Sequence, residues 1–174
     1  MISQPIFLIG FMGTGKSYTG RQLSELTGLP FTDLDDYVEA QEQQPIAEIF
    51  RLAGESRFRE IEAAALRTLG HRPQVVACGG GTPCYHGNMD WMNEHGLTVY
   101  LKASPELLTS RLKSEAAHRP LLSGLSEGEL EPFIAQKLAE RSADYEKASL
   151  VIAQEGLPDP AAFLAAHLQN IIGH

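Results

Sequence analysis

Gly10-Phe-Met-Gly-Thr-Gly-Lys-Ser17 follows directly on the apolar run Pro5-Ile-Phe-Leu-Ile9 and opens onto Ser17-Tyr-Thr-Gly-Arg-Gln-Leu-Ser-Glu-Leu26. The eight residues fit G-x-x-x-x-G-K-[ST], the loop that joins a strand to a helix and cradles phosphates in ATP- and GTP-using proteins. Polyphosphate must be wrapped by backbone N–H groups at close range, and side chains at Gly10, Gly13 or Gly15 would block that approach. The following helix turns its positive end toward the same phosphates. Lys16 adds a mobile cation for the outer phosphates, and Ser17 adds a hydroxyl for Mg²⁺. The preceding run suits a buried parallel strand, and the residues after the loop suit a helix.

The chain is long enough for a single domain with a full core, at 174 residues. No stretch has the ~20 apolar residues of a membrane span, and no secretory leader is evident. Cys78 and Cys84 are the only cysteines, too few for a disulfide framework or a four-thiolate zinc site. A reducing cytoplasm is the expected setting. The formal net charge of −8 argues against a nucleic-acid partner, whose phosphates it would repel. No long apolar surface stripe demands an oligomer, so a monomer is expected.

Outward from the loop, helical and extended stretches alternate. Gly28-Leu-Pro30 ends the first helix, and Phe31-Thr-Asp33 reads as a second strand. Helices are expected near Tyr37–Gln43, at Ile46–Leu52 with a break at Gly54, and at Glu55–Leu69. Further strands are expected at Gln74–Cys78, Leu97–Leu101 and Ser149–Ile152. Helices follow at Asn88–Asn93, from Ser104-Pro105 to about Lys113, at Glu127–Glu146 and at Pro158–Ile171. Such alternation calls for a parallel sheet covered on both faces. Ligands of these sheets gather beyond the carboxyl ends of the strands. The phosphate loop, Asp33 with Asp35, and Gly79-Gly-Gly81 all stand immediately after strands, so they should meet in one cleft.

With Asp33-x-Asp35, Phe58-Arg59, Gly79-Gly-Gly81 and Arg119-Pro-Leu-Leu122 added to the loop, the chain resembles the shikimate kinases from about residue 6 to about residue 152. That resemblance implies a three-layer α/β/α P-loop kinase with a five-stranded parallel sheet, formed by residues 1–174 as one domain. A substrate-binding region would fall at about 34–62 and a lid at about 114–125. It implies transfer of the ATP γ-phosphate to the 3-hydroxyl of shikimate, with Mg²⁺ as cofactor. A gluconate-kinase-like sugar-acid kinase and a non-catalytic nucleotide-binding protein are the rival readings.

By resemblance Gly13, Thr14, Gly15, Lys16, Ser17, Tyr18, Arg111 and Arg119 hold ATP, with Arg111 beside the adenine ring. Ser17 and Asp33 serve the metal. Asp35, Arg59, Gly80 and Arg141 bind the acceptor, and Lys16, Asp35 and Arg119 carry catalysis. Each has a plainer reading. Asp33 and Asp35 would alternate about an extended strand end, yet Asp35 or Asp36 can equally cap a helix. Arg59, on the rim of its helix, can pair with Glu55, Glu60 or Glu62. Gly79 to Gly81 can serve only a turn, and Arg119 can be an exposed loop arginine. Tyr18 stands where the family has Ser or Thr. His71, His86, His95 and His118 show no metal-ligand spacing. Cys78 and Trp91 read as packing residues, and Gln154 to Pro158 carry no assignment.

Overall fold

The computed structural model describes residues 2–113, 122 and 124–172. His118, Arg119 and most of the expected lid lie outside the described residues. Five strands, β1 (Ile6–Ile9), β2 (Phe31–Asp33), β3 (Val75–Ala77), β4 (Leu97–Lys102) and β5 (Leu150–Ala153), form one sheet in the order β2-β3-β1-β4-β5. All pairings are parallel; Ile6 registers with Val75 on one side and Leu97 on the other. The α-helices among the described residues are α1 (Lys16–Thr27), α2 (Leu34–Glu42), α3 (Ile46–Leu69), α4 (Asn88–His95), α5 (Pro105–Leu112), α6 (Glu127–Tyr145) and α7 (Pro160–Ile172).

The layers follow from the two-residue period of an extended chain. Along β1, Phe7 and Ile9 pack with Val38, Ile49, Phe58, Leu66, Met92 and Tyr145, beneath α2, α3, α4 and α6. Ile6 and Leu8 face the other way, joining Leu23 of α1 and Leu164 and Leu168 of α7. All four β1 residues are fully buried, as expected for a central parallel strand covered on both faces. A third cluster joins Phe11 to Leu108, Leu112, Leu130 and Ile134 beside the phosphate loop. Leu122, which ends the Arg119-Pro-Leu-Leu122 motif, is buried in it.

Local chemistry sets the helix ends. Ser104 caps α5 by accepting from the Leu107 N–H at 3.2 Å, with Pro105 at the first helical position. The two expected helices around Gly54 run as α3, broken only where Gly54 adopts φ 81°, ψ 170°. The start of α2 differs from expectation. It begins at Leu34, three residues early, and its cap is Asp33 rather than Asp35 or Asp36. The Asp33 carboxylate accepts from the Asp35 N–H at 3.0 Å, which satisfies an otherwise orphaned donor of the first turn. Among the described residues, no helix is long and apolar enough to cross a membrane.

Candidate active site

β1 and β3 are neighbours, so the loops leaving their carboxyl ends lie side by side. Between them opens a cleft of about 620 Å³ lined by residues 12 to 19, Asp33, Asp35, Cys78, Gly79, Gly80, Arg111, Gln154, Leu157, Pro158 and Pro160. Gly13, Thr14, Gly15, Lys16, Ser17, Tyr18, Asp33, Asp35, Gly80 and Arg111, all expected at the site, therefore share one space. Arg59 and Arg141 do not line this cleft. They lie against the glycine run that borders it, Arg141 beside Gly80 and Arg59 beside Gly81.

The phosphate loop is braced by its own side chains. Lys16 Nζ reaches back across the loop to donate to the carbonyls of Gly10 at 2.8 Å and Phe11 at 2.9 Å. Thr14 Oγ1 donates to the Phe11 carbonyl at 2.8 Å. The glycines have a further cause besides ligand approach. Gly13 sits at φ 83°, and a Cβ there would stand 2.9 Å from Leu112; a Cβ on Gly10 would stand 2.7 Å from the Leu101 carbonyl oxygen. The fold itself excludes side chains at these two positions.

Asp33 divides its carboxylate. One oxygen caps α2, while Oδ2 accepts from Ser17 Oγ at 2.5 Å. Asp35 does not leave the opposite face of a strand, as alternation about an extended end would require; it lies in the first turn of α2. From there it lines the same cleft as Lys16 and Ser17. Its pKa is pushed up to about 6, first by burial and then by the negative charges of Asp33 and Glu62, against a smaller opposing pull from Lys16. A carboxylate poised near neutrality in a phosphate-side cleft is suited to accepting a proton.

Gly79 opens a turn, its carbonyl accepting from the Thr82 N–H at 3.1 Å, but Gly79 to Gly81 are not in the left-handed region, so the turn alone does not demand glycine. Close packing does. A Cβ on Gly79 would lie 3.0 Å from Glu62 Oε1 and 3.1 Å from Asp35 Oδ1. On Gly80 it would lie 3.3 Å from Arg141 Nη1, and on Gly81 2.6 Å from Arg59 Nη2. The glycine run thus brings Asp35, Arg59 and Arg141 against one stretch of bare backbone.

Arg59 is not on a rim but buried, 9% exposed, with Glu55 and Glu62 as partners; Glu60 pairs with Arg57 instead. Its Nη1 donates to Glu62 Oε2 at 3.0 Å, and Thr82 Oγ1 donates to the other Glu62 oxygen at 2.5 Å. The guanidinium also lies 4.3 Å from the centre of the Tyr85 ring. Arg141 lies 5.4 Å from the Phe11 ring centre. Tyr145 donates to the Gly80 carbonyl at 2.5 Å.

Arg111 does not stand apart as a bare platform. Its Nη1 donates to Gln154 Oε1 at 2.5 Å and to the Gly13 carbonyl at 3.3 Å. Tyr18 is 68% exposed, its hydroxyl oxygen accepting from Gln22 at 3.0 Å. Trp91 packs edge-on to Phe7, and Cys78 is buried. From the sequence Glu62 is only one of three salt-bridge options for Arg59, Gln154 carries no assignment, and nothing marks Tyr145 as part of the site. Each meets the site through a partner 20 or more positions away, and no local pattern signals such a contact.

The oxygen donors of Ser17 and Asp33 fit Mg²⁺, a hard cation that takes one or two carboxylates together with substrate phosphates. No cage of three or more His, Cys, Asp or Glu exists among the described residues, and Mg²⁺ bound in that manner does not require one.

The family model described as shikimate kinase matches residues 12–172. Shikimate kinase of Parabacteroides distasonis is 44% identical over 151 residues, covering 86% of this chain and 87% of that one. A crystal structure of shikimate kinase from Bacteroides thetaiotaomicron superposes with a TM-score of 0.88 at 34% identity, covering 99% of each chain. A solved structure of shikimate kinase from Acinetobacter baumannii in complex with shikimate gives a TM-score of 0.83 at 33% identity, covering 98% of this chain and 93% of the other.

Proposed function

This chain belongs to the shikimate kinase family of ATP-dependent kinases, and from that premise we propose how its residues divide the transfer of the ATP γ-phosphate to the 3-hydroxyl of shikimate. The observation that carries the reading is the position of Asp35. It shares a cleft with Lys16 and Ser17 and lies against Gly79, in the glycine run that Arg59 and Arg141 also meet.

The donor half is the loop from Gly10 to Ser17. Backbone N–H groups and the start of α1 receive the polyphosphate, and Lys16 leaves the Gly10 and Phe11 carbonyls to neutralise its outer oxygens. Ser17 and, through water, Asp33 would hold Mg²⁺. When bound, the ion neutralises charge on the phosphates. Since Asp33 also caps α2, the metal-side oxygen and the Asp35 backbone are fixed by one residue.

The acceptor half lies within residues of about 34–62 and their neighbours. Asp35 orients the attacking hydroxyl and takes its proton; a pKa of about 6 leaves it ionised yet basic at neutral pH. Arg59, held by Glu62 and Glu55, and Arg141 present guanidinium forks to the substrate carboxylate. The Gly80 backbone, its carbonyl tied by Tyr145, contributes a close polar edge. Arg119 supplies charge to the transferring phosphoryl, a role resting on its motif in the sequence. Little covalent work remains for the protein: positioning and charge neutralisation carry the reaction. The setting proposed is a cytoplasmic monomer.

Lys16→Ala tests the donor half. Turnover of ATP with shikimate should fall to background in an ADP-release assay, while the variant melts as the parent does. Near-normal turnover would remove the phosphate loop from the reaction.

A further inference from the structure

The side chain of Gln154 is buried, 5% exposed, just past the end of β5, and it bridges three elements. Its Nε2 donates to the Thr14 carbonyl at 2.7 Å, and its Oε1 accepts from Arg111 Nη1 of α5 at 2.5 Å. Arg111 Nη1 also donates to the Gly13 carbonyl at 3.3 Å. A carbonyl takes only a donor and a guanidinium offers only donors, so a single orientation of the amide satisfies both ends. The backbone of Gln154 is fixed as well. Its N–H donates to the Lys102 carbonyl at 2.9 Å, and its carbonyl accepts from Leu157 at 3.1 Å.

The consequence lies in the peptide plane between Thr14 and Gly15. The unit is planar and trans, so its C=O and N–H point in opposite directions. Drawing the Thr14 carbonyl toward Gln154 sends the Gly15 N–H the other way, and Gly15 lines the phosphate-side cleft. Gly15 itself sits at φ 77° as the N-cap of α1, its carbonyl accepting from the Thr19 N–H at 2.8 Å, and a Cβ there would meet nothing within 4 Å.

We propose that Gln154 is a positioning residue for the phosphate loop: through the Thr14 carbonyl it sets the Thr14–Gly15 peptide so that the Gly15 N–H faces the polyphosphate. The inference rests on the donor-site reading above. It concerns the phosphates rather than the base, although Gln154 follows the strand on the far side of the cleft. Gln154→Ala removes both bonds. Gln154→Glu keeps the volume and the Arg111 partner but has no N–H for Thr14.

The experiment titrates inorganic tripolyphosphate, ATP and shikimate, with Mg²⁺ present, against the parent, both variants and Lys16→Ala. Tripolyphosphate has no base, so it reports the loop alone. Both variants should bind tripolyphosphate and ATP about 5–10-fold more weakly, the worth of one buried hydrogen bond, with shikimate affinity unchanged. Should Gln154→Ala fail to fold, the isosteric Gln154→Glu carries the comparison. Tripolyphosphate affinity equal to the parent's would overturn the proposal, as would an equal loss for shikimate, which marks a general structural role. If the parent binds tripolyphosphate no better than Lys16→Ala does, the donor-site reading fails, and the proposal with it.

Discussion

Replacing Asp35 by Asn should slow the enzyme and stabilise it at the same time. In the folded chain the Asp35 carboxyl titrates near 6 against an ordinary value of 3.8, because burial and the charges of Asp33 and Glu62 oppose ionisation. At about 1.4 kcal/mol per unit, the ionised group costs the fold up to about 3 kcal/mol. Solvent at the mouth of the cleft reduces this, and roughly half is a fair expectation. The sign follows from proton binding. Between pH 3.8 and about 6 the folded state holds a proton that the unfolded state has lost, so stability falls as pH rises through that window. Asn is neutral throughout and escapes the fall. At about pH 8 the variant should melt about 3–6 °C above the parent, a domain of this size gaining about 2–4 °C per kcal/mol. Near pH 4 the two should nearly coincide. Turnover should drop by about 10²–10⁴, the usual contribution of a positioned general base. Paired thermal melts across this pH range, with ADP-release rates on the same samples, decide it. A melting difference independent of pH, or a variant less stable at pH 8, would refute the account of the carboxyl. Near-parental turnover would refute its role.

Two further outcomes follow from the site. Arg59→Ala should raise KM for shikimate by about 10–100-fold, as expected for loss of charge-assisted hydrogen bonds, while KM for ATP stays within about two-fold. Glu62 would lose its partner, so Arg59→Lys, which keeps a cation there, should accompany it; equal losses for both substrates would exclude a carboxylate-binding role. Tyr18→Thr should tighten ATP binding by about 2–5-fold by restoring a short hydroxyl next to Ser17, with stability within about 0.5 kcal/mol because the ring is exposed. Weaker ATP binding would mean that the tyrosine ring itself contacts the nucleotide.

What the sequence discloses here is mainly local. The β1 run, the phosphate loop, the Ser104-Pro105 start and the break at Gly54 each depend on a few adjacent residues, and each stands as read. The start of α2 is ambiguous in the sequence because Asp33, Asp35 and Asp36 are all competent caps. Only the fold shows that Asp33 reaches the Asp35 N–H with one oxygen and Ser17 with the other. The glycine run after β3 does turn, as its sequence suggests, but what demands glycine at all three positions is packing that no local pattern shows. The carboxylates and guanidinia pressed against that run arrive from α2, α3 and α6. Arg59 stands out by its motif, while its burial depends on Glu62, Thr82 and Tyr85 meeting around it. Gln154 is the clearest case: its partner Thr14 lies 140 positions away, and no periodicity or motif links them.

The central claim joins a polyphosphate loop to a pocket for a hydroxylated carboxylate. ADP release by the purified chain with shikimate, with gluconate and with no acceptor tests that claim most directly. The account predicts rapid, Mg²⁺-dependent release with shikimate, together with stoichiometric formation of a phosphate ester at its 3-hydroxyl, and only background with the other two. Release with gluconate at a comparable rate, or ATP breakdown indifferent to any acceptor, would contradict it.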